Sequence, residues 1–568
     1  MTRREMWLSV ALVGFVALVA RVAAASLVPF PIPEDTAYYY GVARNLVEGR
    51  GLVSDAVWSF QTPPLALPPR PAFEVWMPLP SLLAAIPMAF LGTGYQSAQV
   101  VAVLVGTLIP ILTWRLAWDV SAERGLSHTR SRVLAIGAGL TAAVQLPLLV
   151  HSTLTDSTAL FALFVLTGCI LMARILRTPR AGGWRAAARD PRLLSLGVVI
   201  GLGALTRNEA IWLAGTWFLL VVFAARRSAS SPAESLDDAG GRRSNSARWM
   251  PAARLVAVPA AVAILVFLPW AARNALVLGS ALPSQTITNA FSVTGFDIFA
   301  FTDPPTLSRY LAVGPGRLLQ MRIDGFEHNL LTVLLLPSFP VGLIGLVMLP
   351  WFGRGAALRP LLVVSLATFA FTTLVFPVAT TWGTYLHAAG AAHVLLIISC
   401  LFALDALIVR IGRVRGWTRP VAWLGPALTI SGAALFSLAL LPGFGAQSRD
   451  IQARYRALPG QLAAAGLPPV SQMGPVITDF PIWWAEGERA PALGLPDESP
   501  ASILALAKAL PGTRYLIVHS TDHGRWPAVL DTNDPDVACF REVDIRIGSD
   551  TAARAALTDT RVFELVCP

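Results

Sequence analysis

Apolar runs of about twenty residues recur along most of this 568-residue sequence, and they constrain its fold more than any other feature. A helix of that length crosses the hydrocarbon core of a bilayer. The chain is 55% hydrophobic and only 14% charged, with a mean hydropathy of +0.60, so it is too apolar and too long for one soluble core. The sequence therefore predicts an all-α polytopic membrane protein.

The arginine residues between these runs set the predicted topology. A count of about 11 transmembrane helices places the dense arginine clusters on one side of the membrane, and these clusters lie at 124–132, 174–192, 226–248 and 410–419. Positively charged loops stay on the cytoplasmic side. We therefore predict a multi-pass protein of the plasma or inner membrane with a cytoplasmic N-terminus. The first run, 6–28, resembles a signal peptide, but its length favours an uncleaved span.

One apolar segment, 76–91, is predicted not to cross the membrane. It is short and interrupted by prolines, which is typical of an interfacial or re-entrant segment. If it crossed, the later arginine clusters would face outward, against the positive-inside rule. Long outer loops are then predicted at 29–96 and 272–329.

The net charge of +10 does not indicate nucleic-acid binding. The arginines lie in short loops between apolar runs, where the positive-inside rule explains them. Membrane lipids are therefore expected partners, and nucleic acid is not.

The composition changes near residue 442. Residues 1–441 form the predicted transmembrane domain, whereas 442–568 are net acidic and contain short β-like runs, which predicts a small C-terminal α/β domain outside the cytoplasm. This part has no GxGxxG, P-loop or Ser-His-Asp signature. Cys539 and Cys567 could form a disulfide if the domain faces an oxidising compartment. No CxxC motif or His/Cys cluster supports a metal site.

The polar residues outside the predicted spans converge on the outer face. They are Glu34, Asp35, Asp156, Arg207, Glu209, Arg273 and His387. A carboxylate can accept a proton from a hydroxyl as a general base. A guanidinium can stabilise a departing phosphate through two hydrogen bonds. The combination favours group transfer from a phosphate carrier at the membrane surface.

Structural roles are open for the acidic residues in this set. Asp35 or Thr36 could cap a short helix that ends near Gly49, because both residue types accept the free N–H groups of a first helical turn. Asp156 could cap the fourth span in the same way. A capping carboxylate at a membrane surface can also be catalytic.

The basic and aromatic residues have structural alternatives as well. Arg207 could anchor a helix turn at the lipid head groups, Arg273 could be a juxtamembrane residue, and His387 could be a satisfied interfacial histidine. For Trp76, Trp270 and Trp382, an aromatic belt at the membrane surface is favoured over sugar stacking.

The order of these features resembles the GT-C fold of lipid-linked-sugar glycosyltransferases, specifically the protein O-mannosyltransferase and aminoarabinose transferase superfamily. The resemblance covers residues 1–441. It rests on the stretch E-D-T-A-Y-Y-Y…A-R-N-L-V-E-G-R-G-L and on the motifs W-M-P-L-P-S, H-S-T-L-T-D, G-L-G-A-L-T-R-N-E, P-W-A-A-R-N and G-T-Y-L-H.

The resemblance implies a polyprenyl-phosphate sugar donor, transfer outside the membrane and inversion at the sugar carbon. Asp35 would be the first-loop catalytic acid with Glu34 beside it, Asp156 the second outer acid, and Arg207 the cationic contact to the lipid phosphate. The family often has Lys at this last place. The W-M-P-L-P segment also lacks the Lys that aminoarabinose transferases carry before the prolines, and the nearest upstream cation is Arg70.

Five further residues complete the candidate substrate-binding set, namely Glu209, Arg273, His387, Tyr39 and Trp76. No cofactor is required by these observations. Carboxylates on two loops could hold Mg²⁺ or Mn²⁺, but they lack a recognisable ligand spacing, and some relatives work without a metal.

The resemblance therefore implies a mannosyltransferase-like membrane enzyme of the cell envelope. It would move a sugar from a polyprenyl-phosphate carrier to a hydroxyl of a protein, glycan or lipid acceptor at the outer face. The alternatives are a lipid-linked-sugar transporter or flippase and a noncatalytic membrane scaffold. A transporter should carry charged residues in mid-span, and the predicted spans are nearly devoid of them.

Overall fold

A computed structural model describes residues 3–62, 65–178, 183–229, 245–282, 285–418, 421–519, 530, 533–546 and 550–567. The arginine-rich loop predicted at 226–248 lies largely outside the described residues. Helices make up most of the part before residue 465.

The helices of this part follow the predicted apolar runs. In chain order they are α1 (Arg3–Ala25), α2 (Glu34–Val47), α3 (Leu79–Leu91), α4 (Tyr95–Glu123), α5 (His128–Val144), α6 (Leu146–Val150), α7 (Thr158–Arg177), α8 (Trp184–Ala187), α9 (Pro191–Ala204), α10 (Ala210–Ala229), α11 (Asn245–Leu278), α12 (Gln285–Thr288), α13 (Leu307–Ala312), α14 (Gly314–Glu327), α15 (Val341–Phe352), α16 (Arg359–Leu374), α17 (Thr384–Ala388), α18 (Gly390–Val414) and α19 (Leu424–Ala464).

Seven helices of the described residues are long and apolar enough to cross a membrane. They are α1, α4, α7, α10, α11, α18 and α19. An eighth span results if the broken pair Gly314–Ser338 and Val341–Phe352, bent by 115°, counts as one. The other predicted crossings correspond to helices too short to span alone, such as α9 and α16. The chain is thus a multi-pass membrane protein, and the count of 11 and the orientation remain predictions.

Segment α3 has only 13 residues and contains Pro87. A helix of that length is shorter than the roughly 20 residues that a span requires. The helix is therefore too short to cross the membrane alone, and its position against the bilayer remains a prediction.

The transmembrane helices pack closely through small residues. A side chain on Gly139 of α5 would lie 2.8 Å from Cγ1 of Val13 on α1 and 3.1 Å from the carbonyl oxygen of Pro110 on α4. Only a residue without a Cβ lets α5 come this close to the Val13 side chain and to the backbone of α4, as is typical of helix pairs in membranes. The middle of α5 is thereby held close to the middle of α1 and of α4.

The C-terminal part contains a six-stranded mixed sheet with the order β2-β5-β4-β6-β8-β7. The strands of the chain are β1 (Val53–Ser54), β2 (Ala56–Val57), β3 (Arg70–Pro71), β4 (Val476–Thr478), β5 (Ala492–Gly494), β6 (Tyr515–Val518), β7 (Phe540–Val543) and β8 (Arg561–Leu565). The accompanying helices are α20 (Pro481–Gly487), α21 (Pro500–Ala509) and α22 (Thr551–Ala556). Cys539 and Cys567 form a disulfide.

The first outer loop and the C-terminal sheet are joined directly. Strand β2 of the loop pairs in parallel with β5, with Ala56 opposite Ala492. Helix α19 also continues without a break past the domain boundary predicted at 441. The sheet is therefore built against the loop that carries α2, and the boundary itself remains a prediction.

Candidate active site

Four helix ends bring the predicted polar residues to one place. Asp35 lies in the first turn of α2, Asp156 precedes α7, Arg207 lies between α9 and α10, and His387 lies in the short helix α17. The capping alternative for α2 is wrong, because the helix begins at Glu34 after Pro33 without a side-chain cap. Acidic residues in that first turn instead meet the positive end of the helix dipole.

His387 connects the two aspartates. Its Nε2 lies 3.1 Å from Oδ2 of Asp35, and its Nδ1 lies 3.8 Å from Oδ2 of Asp156. The same Nδ1 is 2.7 Å from the Thr158 hydroxyl. On the far side, Nδ1 of His151 contacts Oδ2 of Asp156 at 2.8 Å. The result is a continuous polar chain from Asp35 to His151.

The two aspartates differ in burial. The side chain of Asp35 is 24% exposed, whereas that of Asp156 is 0% exposed. Burial acts to raise the pKa of Asp156. Contacts with His151, His387 and the Thr158 N–H lower it by more, so the pKa lies below its ordinary value. Asp156 also accepts the Thr158 N–H at 2.9 Å, but the N-cap residue of α7 is Ser157, so the prediction that Asp156 is the N-cap is wrong. Asp35 is thus the acid that an incoming substrate can reach.

Arg207 is engaged with its neighbours. Its Nε and Nη2 donate to the two oxygens of Glu209 at 3.0 and 2.8 Å, and its Nη1 donates to the Ser157 hydroxyl at 2.9 Å. The side chain points into the protein, which contradicts the head-group anchor alternative. Although burial acts to lower the pKa of Arg207, Glu209 above all raises it beyond its ordinary value. A phosphate that binds Arg207 would have to share its guanidinium with Glu209 and Ser157.

Tyr39 lies within this part of the site. Burial raises the pKa of its phenol well above the ordinary value, although the charge of Arg207 and a hydrogen bond with Ser157 oppose the shift. A neutral hydroxyl at this position can donate a hydrogen bond. Tyr39 of α2 therefore lies beside Ser157 and close enough to Arg207 and Asp35 to interact with their charges.

Arg273 is the less engaged guanidinium. Its Nη1 donates to the Ala72 carbonyl at 3.0 Å and to Oδ1 of Asn274 at 3.1 Å, and its Cζ lies 4.8 Å from the centre of the Trp270 ring. Within the described part of the chain it forms no ion pair, although the carboxylate of Glu74 lies close enough to act on its charge. Arg70, by contrast, is buried and paired with Glu74. Arg273 thus has a charge that is still available to an anion.

Glu34 is not placed like its neighbour Asp35. Its Oε1 accepts the backbone N–H of Ile482 at 3.1 Å, so its carboxyl is directed toward α20. Burial raises the pKa of Glu34 to about 8, and the nearby carboxylates of Asp479 and Asp35 add to the shift. Because this carboxyl holds the first turn of α20, it is less well placed than Asp35 to act as a base, and a catalytic role for Glu34 remains a prediction.

Trp76 belongs to an aromatic cluster inside the protein. Its ring centre lies 4.2 Å from that of Tyr38 and 4.7 Å from that of Trp58. Trp270 packs against Phe73 in the same region. The aromatic-belt prediction is wrong for Trp76 and Trp270, because both are buried, and belt residues face lipid. Sugar stacking by Trp76 remains a prediction.

One group of side chains has a composition suited to a metal ion. One ligand atom each from His151, Asp156 and His387 lies within 4.8 Å of the others. Imidazole nitrogen with carboxylate oxygen is typical of zinc and related divalent ions, whereas Mg²⁺ prefers oxygen alone. The sequence does not reveal this group because its members are far apart in the chain, and the only local signal is a histidine five residues before an aspartate.

Comparison with solved structures identifies the fold. ArnT of Cupriavidus metallidurans bound to undecaprenyl phosphate aligns over 98% of both chains, with 14% identity and a TM-score of 0.53. The oligosaccharyltransferase of Archaeoglobus fulgidus tethered with an acceptor peptide aligns over 95% of this chain and 72% of that chain, with 14% identity and a TM-score of 0.54. The same enzyme in complex with Zn and sulfate gives 93% and 71%, 15% identity and 0.52.

Comparisons at the level of sequence identify no relatives. No protein-family profile matches the chain, and no curated protein is significantly similar to it. The structural similarity nevertheless extends over nearly the whole chain and includes the helices that form the site. The chain has the GT-C fold, the fold of lipid-linked-sugar glycosyltransferases such as ArnT and the oligosaccharyltransferase AglB.

Proposed function

We propose that this protein is an integral membrane glycosyltransferase that moves a sugar from a polyprenyl-phosphate carrier to an acceptor hydroxyl at the outer face of the membrane. The observation that carries the proposal is the chain of contacts from Asp35 through His387 to Asp156 at the outer helix ends. Asp35 is its partly exposed end. A general base needs this combination of access and fixed orientation.

The ligands of the structural neighbours support the choice of substrates. ArnT is bound to undecaprenyl phosphate, and the Archaeoglobus oligosaccharyltransferase is tethered with an acceptor peptide. A polyprenyl-phosphate donor and a separate acceptor are therefore our proposal for this chain. The mannosyl group implied by the sequence resemblance remains a prediction.

The proposed reaction is a single displacement at the sugar carbon. The acceptor oxygen forms a bond to that carbon while the bond to the phosphate oxygen breaks, so the configuration inverts. Asp35 takes the proton of the acceptor hydroxyl, and the polyprenyl phosphate leaves with the bonding electrons. His387 holds the Asp35 carboxylate in position through its Nε2 contact.

The developing charge on the phosphate needs a cation. Arg273 is the better candidate, because Arg207 already donates to both oxygens of Glu209. A guanidinium aimed at a departing phosphate stabilises the transition state more than the ground state. Arg207, Tyr39 and Glu209 would then orient the donor rather than neutralise it.

A divalent ion is compatible with the same site. His151, Asp156 and His387 are the residues that would hold it, and Asp35 lies next to His387. When bound, such an ion supplies a positive charge near the phosphate.

Transfer is tested by incubating the purified protein with a panel of polyprenyl-phosphate sugars and simple acceptors. We expect one donor to release free polyprenyl phosphate and a glycosylated acceptor in equal amounts. The panel also identifies the sugar. If every donor stays intact while lipid-linked sugar still binds, the transporter or flippase alternative is favoured.

Replacing Arg273 by Ala is expected to reduce the transfer rate by about 10²-fold, because removal of one preorganised charge at a departing anion has that order of effect. Arg273→Lys should recover part of the rate, since lysine keeps the positive charge but lacks the paired N–H donors of the planar guanidinium. The measurement is kcat/KM for the donor identified by the panel. Arg207→Ala is the matched comparison, and a larger loss in that variant would contradict the assignment of Arg273.

A further inference from the structure

Helix α14, in the second outer loop, presents three distinct faces. Leu319, Ile323 and Phe326 follow the helical repeat and are 61%, 49% and 48% exposed. A polar face with the same spacing is also exposed and consists of Gln320, Asp324 and Glu327. The remaining face is buried. A helix with an open apolar face beside an open polar face is typical of a membrane surface.

The buried face fixes the rotation of α14. Gly325 packs so closely that a Cβ there would lie 2.8 Å from the Pro377 carbonyl oxygen. Met321 is buried with Tyr310, whose hydroxyl accepts a 2.7 Å hydrogen bond from Arg322. These contacts leave no freedom for the helix to turn its apolar face inward.

Hydrogen bonds of Asn329, two residues after α14, hold the end of this helix in place. Asn329 donates to the hydroxyls of Thr372 and Thr373 and accepts from the hydroxyl of Thr380 at 2.8 Å. Thr380 lies in the turn that leads to His387. The helix is therefore fastened to the turn that supplies one of the site residues.

The apolar face is continuous with the side of the transmembrane bundle. The ring of Phe326 lies 5.6 Å from that of Phe369 on α16, and Leu366 of the same helix is exposed. Helix α16 packs between α7, α10 and α18, three helices that are long and apolar enough to span. Lipid that surrounds these helices would meet the apolar face of α14 directly.

The direction of α14 also fits the membrane surface. The apolar segment that includes α14 is bent by 115° relative to α15, so the two are closer to perpendicular than to collinear. If α15 runs through the membrane, α14 lies closer to the membrane plane than to its normal.

We propose that α14 is an interfacial helix that inserts Leu319, Ile323 and Phe326 into the outer leaflet and keeps Gln320, Asp324 and Glu327 in water. The occupant of the apolar face is bilayer lipid, because that face is continuous with the exposed surface of the transmembrane helices. This assigns a membrane contact to a region that the sequence predicts only as an outer loop. It also sets the His387 turn at a fixed depth relative to the bilayer.

The test uses nitroxide labels on single cysteines in lipid nanodiscs. The native cysteines do not compete, because Cys169 and Cys400 are buried and the other two form the disulfide. Labels replace Ile323 on the apolar face and Gln320 on the polar face. The readout is the ratio of collisions with oxygen, which partitions into lipid, to collisions with a water-soluble nickel chelate.

Two further labels calibrate the scale. Leu435→Cys on α19 is the lipid reference, and Thr551→Cys on α22 is the water reference, since both residues are exposed. We expect Ile323→Cys to resemble the lipid reference and Gln320→Cys to resemble the water reference. The readout is lipid exposure rather than turnover, so it does not depend on the proposed reaction.

Two outcomes would overturn the proposal. If both labels on α14 collide mainly with the nickel chelate, the helix lies in water away from the bilayer. If the Ile323→Cys label is inaccessible to both reagents, another protein surface, such as a second copy, covers the apolar face.

Discussion

Replacing Asp35 by Asn is expected to lower sugar transfer by roughly 10²- to 10⁴-fold, the range that a lost general base produces. The amide keeps the shape of the carboxylate but cannot take the acceptor proton. The residue is partly exposed and is fixed by His387 at 3.1 Å, so the loss should appear in kcat with little change in donor KM. The measurement is polyprenyl phosphate released per minute at saturating donor.

Glu34→Gln is the matched control, because it changes the adjacent carboxyl in the same way. Burial raises the pKa of Glu34 to about 8, so this group is mostly protonated at neutral pH. A Gln side chain retains the carbonyl oxygen that accepts the Ile482 N–H. We expect near-normal transfer in Glu34→Gln. Near-normal transfer in Asp35→Asn, or an equal loss in both variants, would contradict the assignment of the base to Asp35.

Removing Glu486 is expected to have the largest effect on stability. Glu486 of α20 pairs with Arg44 of α2, and their side chains are only 11% and 4% exposed. Breaking a buried ion pair by deleting one partner costs about 3–5 kcal/mol, because the other charge stays buried without compensation. Glu486→Ala should therefore lower the thermal unfolding midpoint in detergent. It should also reduce transfer, because α2 carries Asp35.

An exposed pair between neighbouring parts of the molecule provides the comparison. Arg489 donates to Glu48 at 2.8 Å, but both side chains reach solvent, and such a pair contributes only about 0–1 kcal/mol. Glu48→Ala should thus leave the midpoint almost unchanged. The charge-swapped double variant Arg44→Glu/Glu486→Arg should recover part of what Glu486→Ala loses. No recovery together with an equal effect of Glu48→Ala would show that the buried pair does not join the two elements.

The sequence could predict where Asp35, Asp156 and His387 lie, because apolar length and arginine position determine helix ends. Residues at the outer ends of several spans must then approach one another. The contact between His387 and Asp35 agrees with that reasoning. The GT-C resemblance drawn from the motifs is confirmed at the level of the fold.

Side-chain partners could not be predicted in the same way. The Glu34 carboxyl accepts a hydrogen bond from the backbone N–H of Ile482, which lies 448 residues further along the chain. No local sequence pattern predicts that contact. His151 is a single histidine in a turn, and its role depends on how α17 packs beside α7. Membrane crossings were equally hard to count, because α9 and α16 are apolar but shorter than a full span.

We infer that the protein cleaves a lipid-linked sugar at its outer face rather than moving it across the membrane. The most direct measurement places the wild-type protein and Asp35→Asn in sealed liposomes that carry the polyprenyl-phosphate sugar identified by the panel, with acceptor outside. Sugar transfer predicts free polyprenyl phosphate and glycosylated acceptor from the wild-type protein and almost none from the variant. Intact donor that exchanges between leaflets equally well with both proteins would contradict it.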